Sequence, residues 1–87
     1  MNRTEITFGR LIEIIKTVNP KVVDRITIAS FPDKDSYIPP AVYDVDIGYR
    51  SYTVNMSRYC GAEALIMRDV LIQELEKTGI DIEWRRV

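Results

Sequence analysis

Residues 41–57 accept one strand pairing that buries a single apolar face, and that pairing constrains the chain more than any other feature. The first arm alternates Ala41, Tyr43, Val45 and Ile47 against Asp44 and Asp46. The second alternates Tyr52, Val54 and Met56 against Ser51, Thr53, Asn55 and Ser57. A two-residue turn at Gly48-Tyr49 suits type II′, which wants glycine first. It sets Val45 opposite Tyr52, Tyr43 opposite Val54 and Ala41 opposite Met56, while Asp46 meets Ser51 and Asp44 meets Thr53. Because side chains alternate with a period of two, a one-residue slip would send the two apolar sets to opposite faces. The segment is therefore expected to be a β-hairpin.

The flanking segments supply what covers that face. Phe8, Leu11, Ile12, Ile15 and Val18 recur at helical spacing, with Ile14 at the edge of the stripe, which predicts a helix over 5–18. Thr4 is the expected N-cap, and Asn19-Pro20 ends the helix. A strand is expected over 22–30, with Val22, Ile26 and Ile28 on one face. The three prolines within residues 31–40 cannot continue a central strand, so that stretch reads as a surface loop. A second helix is expected over 59–77, stopping at Gly79, and Ile80 to Val87 alternates as a last strand. The order α-β-β-β-α-β predicts one α+β domain over 1–87, with two helices packed on one face of a four-stranded, mainly antiparallel sheet. A right-handed crossover makes the final strand parallel to its neighbour.

The chain holds 87 residues, 46% of them hydrophobic and 29% charged, an ordinary globular composition. At this length the expected stability is about 4–13 kcal/mol, so partner surface matters to it. Histidine is absent, which removes every mechanism that needs an imidazole base, ligand or proton shuttle. The single cysteine allows neither an internal disulfide nor a cysteine-based zinc site. A net charge of −1 and a pI of about 5.3 argue against a dedicated nucleic-acid binder. The first residues, Met1 to Glu5, are too polar for a signal peptide, and the apolar runs fall far short of the roughly 20 residues that span a bilayer. The expected location is cytoplasmic, with no membrane partner.

Candidate chemistry is sparse. Asp44-x-Asp46 places two carboxylates roughly 6.5–7 Å apart on one strand face, a spacing that suits Mg²⁺ and phosphodiester chemistry. No Glu-x-Lys completes the usual nuclease pattern, so the expectation is a solvated sheet face. Asp33-Lys34-Asp35 lacks the glycine and terminal glutamate of a Ca²⁺ loop. Cys60 sits at the expected start of the second helix beside Arg58, where a thiol pKa would fall. Phosphatase chemistry would want an arginine six positions on, and that position is Ile66; the expectation is a buried small residue. Ser30, Ser36, Ser51 and Ser57 sit in no nucleophile elbow. Arg50, Arg58, Arg85 and Arg86, with Trp84, are the candidate phosphate-contact residues, although Asp81 and Glu83 flank the tryptophan. Neither a catalytic set nor a cofactor is expected.

The second helix is apolar on two sides. Ala64, Leu65, Leu71, Ile72 and Leu75 form its core stripe, while Ile66 and Val70 lie almost opposite and Met67 lies between. Arg68 falls inside the core stripe and needs a carboxylate or a snorkelling path. The loop adds Tyr37 and Ile38 between its prolines, a rigid apolar tip. Tyr37, Ile38, Ile66, Met67 and Val70 are therefore the expected partner interface.

The helix-strand-strand-strand-helix order is similar to that of double-stranded-RNA-binding domains, but their lysine cluster at the second helix is here Cys60-Gly61-Ala62-Glu63. The segment Tyr37-Ile38-Pro39-Pro40-Ala41-Val42-Tyr43, together with Tyr52-Thr53-Val54-Asn55-Met56-Ser57 leading through Glu74-Leu75-Glu76-Lys77-Thr78-Gly79-Ile80, resembles the tail-terminator or tail-completion proteins of tailed bacteriophages. That resemblance implies a non-enzymatic ring subunit in a virion and carries no site residue across. The function expected from the sequence is a protein–protein assembly module that binds itself or another protein, a homo-oligomer. The alternatives are a small inhibitor or regulator of a larger complex, and a carboxylate-dependent nuclease or nucleic-acid-binding protein.

Overall fold

The computed structural model describes residues 2–87. Its elements run β1 (Thr4–Glu5), α1 (Phe8–Thr17), β2 (Arg25–Phe31), β3 (Val42–Ile47), β4 (Arg50–Asn55), α2 (Gly61–Lys77) and β5 (Asp81–Arg86). The strands form one five-stranded sheet in the order β1-β4-β3-β2-β5. β3 runs antiparallel to both its neighbours, and β5 is parallel to β2 as the crossover after the hairpin implies. The expected four-stranded, mainly antiparallel sheet is corrected by a fifth strand, β1, which lies parallel to β4 and makes the sheet evenly mixed. The fold is α+β with a mixed sheet.

The hairpin has the register derived from its alternation. Val45 opposes Tyr52, Tyr43 opposes Val54, Asp46 opposes Ser51 and Asp44 opposes Thr53. Gly48 has φ of +61°, and among the described residues no non-glycine residue has positive φ, so Tyr49 completes the backbone signature of a type II′ turn. Ala41 lies just outside the ladder, exposed, with its carbonyl accepting from Met56 N–H at 3.0 Å.

The first helix starts later than its apolar stripe suggests. Thr7, not Thr4, is the N-cap: its hydroxyl accepts from the Arg10 N–H at 3.1 Å. Thr4 and Glu5 are thereby released to extend beside β4, and Ile6 N–H donates to the Thr53 carbonyl. Residues 19–24 form a turn in which Val22 and Val23 N–H groups donate to the Asn19 carbonyl, so Val22 precedes β2 instead of joining it. It is 78% exposed and not on the expected buried face.

Both helices cover the face carrying Ile26, Ile28, Tyr43, Val45, Tyr52 and Val54. α1 contributes Phe8, Leu11 and Ile15, and α2 contributes Leu71 and Leu75. Gly79, with φ of +71°, ends the second helix in the left-handed conformation that glycine adopts without strain. Ile82 and Trp84 of β5 stand beside Ile26 and Ile28, half-buried at the sheet edge.

Candidate protein interface

The loop between β2 and β3 is long, yet held at several points. It opens on a cis Phe31–Pro32 peptide. The Asp33 side chain accepts from Asp35 N–H at 3.2 Å, and the Ser36 hydroxyl accepts from Ile38 N–H at 3.0 Å. Arg68 Nη1 donates to the Ser36 carbonyl at 2.6 Å. Pro39 packs over the start of α2, close enough that a Cβ on Gly61 would lie 3.5 Å from the proline ring. Lys34 turns its ammonium toward the Trp84 ring, 5.9 Å from the centroid. The result is an ordered loop whose tip presents Tyr37, 93% exposed, and Ile38, 65% exposed.

On α2, Ile66 is 64% and Val70 41% exposed, while Met67 packs partly into the core. Each of the exposed pair is two residues from Arg68, which at 3.6 residues per turn places it roughly 160° away around the helix. Arg68 points to the loop, so the Ile66–Val70 stripe and the Tyr37–Ile38 tip lie on different sides of α2. Arg68 pairs with no carboxylate among the described residues; half-buried, it reaches out of the core stripe to a backbone carbonyl. Nearby, Tyr43 Oη and Arg68 Nε are both buried without a hydrogen-bond partner among the described residues. Burial pushes the Tyr43 phenol up to about 12, with Arg68 opposing the shift and Asp69 adding to it.

The open face of the sheet is a web of charges. Arg3 lies across the hairpin, with Nη1 3.0 Å from Asp46 Oδ1 and Nε 3.9 Å from Asp44 Oδ2. Its Nη1 also donates to the Tyr52 carbonyl, and the Thr53 hydroxyl donates to Asp44 at 2.8 Å. The carboxylates considered for Mg²⁺ are thus engaged by a guanidinium and a hydroxyl. Among the described residues no group of three or more acidic or cysteine side chains is placed to hold a metal ion. On the far side, Arg25 pairs with Asp81 and Glu83, and Arg85 with Glu83.

The four candidate phosphate-contact arginines do not form one patch. Arg50 stands opposite Ile47 at the turn end of the hairpin, while Arg86 stands beside Ser30 near the other end of the sheet. Arg58 follows β4 at that second end, two strands away from β2, and Arg85 is paired with Glu83. Cys60 is the N-cap residue of α2, makes no capping bond through its sulfur and is exposed. This corrects the expectation of a buried thiol: the second helix begins at Gly61, two residues later than its apolar pattern suggests, so Cys60 falls on the extended approach.

A second surface was hidden from the linear pattern. Ile14, Val18, Val22, Val23, Ile47 and Tyr49 line a groove of about 440 Å³ between the end of α1 and the hairpin turn. Its residues come from three segments, and Tyr49 stands fully exposed beside it. No helix among the described residues is long and apolar enough to cross a membrane. The chain matches no family model, no curated protein and no solved structure.

Proposed function

We propose that this chain is a non-enzymatic protein–protein assembly module that associates with copies of itself, in the manner of the ring subunits that the resemblance to tail-completion proteins implies. The observation that carries this reading is the loop tip. Two large apolar side chains are held out in water on a loop whose conformation is fixed by internal turns and by Arg68. A preorganised tip loses little conformational entropy on docking, so most of its burial energy is available to affinity. An apolar tip without a binding role would more simply be polar or mobile.

The Ile66–Val70 stripe adds a second contact. Complete burial would contribute roughly 1.5–3 kcal/mol for each side chain. Because tip and stripe face different directions, one subunit can touch two neighbours, as a head-to-tail assembly requires. The engagement of Asp44 and Asp46 by Arg3 counts against the nuclease alternative, and the separation of the arginines counts against a nucleic-acid interface.

Light scattering of the wild type beside an Ile66→Glu, Val70→Lys double variant tests the reading. The expected result is a wild-type mass that rises with concentration and a variant that stays smaller at equal thermal stability. A strictly monomeric wild type, with the variant equally stable and soluble, refutes it. Affinity capture that recovers one stoichiometric foreign protein, with no second copy of the chain, would favour the inhibitor or regulator reading instead.

A further inference from the structure

We infer that the groove beneath Tyr49 is the receptor for the Tyr37–Ile38 tip of a second copy of this chain. The inference rests on the self-association reading above and supplies the partner surface that reading lacks.

Three observations carry it. The first is position. The β2–β3 loop leaves the sheet where Phe31 pairs with Val42, whereas Ile26 pairs with Ile47 at the other end, beside the Gly48-Tyr49 turn. Tip and groove therefore sit at opposite ends of the same sheet and cannot meet within one molecule. The second is chemistry. The groove is walled by aliphatic side chains, and an isoleucine and a tyrosine are what the tip offers. The third is charge. The groove's charged lining residues are Arg10 and Arg50, with no acidic residue among them. Arg50 enters no ion pair among the described residues, while Arg10 pairs only with Glu13 of its own helix. The loop that carries the tip holds Asp33 and Asp35, both exposed, against Lys34, whose ammonium faces Trp84, while Arg86 borders the loop's base beside Asp33. With two aspartates against one lysine, the loop and its apolar tip complement a basic, apolar groove at the other end of the domain.

The contact is heterologous: each subunit offers a tip to one neighbour and a groove to the next. Such a contact closes into a ring if its rotation permits and otherwise propagates as a filament. Asp33 and Asp35 approaching Arg50 and Arg10 would be steered by long-range attraction, and the association would weaken with salt.

Mixing two complementary variants tests this. Tyr37→Ser with Ile38→Asp spoils the tip and leaves the groove; Val22→Asp with Tyr49→Ser spoils the groove and leaves the tip. All four positions are highly exposed, so melting curves matching the wild type are expected for both. Each variant alone should show a self-association Kd raised at least about tenfold in sedimentation velocity. An equimolar mixture should recover association that neither variant shows alone, because only together do they offer a working tip and a working groove. As a milder probe, Arg50→Glu alone should weaken wild-type association and flatten its salt dependence. A groove variant that associates as strongly as the wild type, or a mixture that stays monomeric, overturns the inference while leaving self-association intact. A wild type that never associates overturns the self-association reading itself.

Discussion

Arg68 Nη1 donates a 2.6 Å hydrogen bond to the carbonyl of Ser36, 32 residues away in sequence, and so fastens the loop carrying Tyr37 and Ile38 to α2. The bond is charge-assisted and partly shielded from water, the setting in which a hydrogen bond contributes most. Arg68→Met keeps the aliphatic stem and removes the donor. It should cost about 1.5–3 kcal/mol in urea denaturation. Trypsin should cleave at Lys34 faster in the variant than in the wild type, because the loop is then held by its own turns alone. Unchanged cleavage would show that Arg68 does not hold the loop.

Tyr43 lies below this contact with a buried hydroxyl that no described residue satisfies. Tyr43→Phe should therefore be neutral or stabilising at pH 7, by up to about 1–2 kcal/mol. The wild type also carries a pH signature. Its folded-state phenol is pushed up to about 12, above the ordinary value of 10.0. The unfolded chain thus loses this proton first: the stabilisation is complete below pH 10 and is lost as pH rises from 10 through 12. The loss should be on the order of 2–3 kcal/mol, read as the difference between wild type and Tyr43→Phe across that range. Parallel curves for the two proteins would contradict the burial of this group.

Arg3 across Asp44 and Asp46 makes a prediction opposite to that of a metal site. Asp44→Asn with Asp46→Asn should leave Mg²⁺ titrations featureless in both wild type and variant. Arg3→Ala should cost about 0.5–1 kcal/mol at low ionic strength and less in salt, as expected for a partly exposed pair. Metal-dependent cleavage of DNA or RNA that vanishes in the double variant would reinstate the nuclease alternative.

How legible these features were depends on where their signal lies. The hairpin was readable because alternation on both arms and one glycine specify register locally, and the structure adopts that register residue for residue from Asp44 to Thr53. β1 was not, because two residues cannot display alternation and Thr4 mimics a helix cap; the competing Thr7 three positions on was the decisive one. Tyr37 and Ile38 stood out by lying among prolines. The partner of Arg68 could not stand out, since a backbone carbonyl has no sequence signature. The groove escaped for a related reason: Val22 read as a buried strand residue, and only the turn at Asn19 swings it out beside the β3–β4 turn.

The central claim is that this domain assembles with itself through preorganised apolar surfaces, and the mass of the wild-type protein in solution tests it most directly. Sedimentation velocity over a wide concentration range should show a weight-average mass that climbs above the 10.1 kDa of one chain as concentration rises. A mass of 10.1 kDa at every concentration and salt would contradict the account.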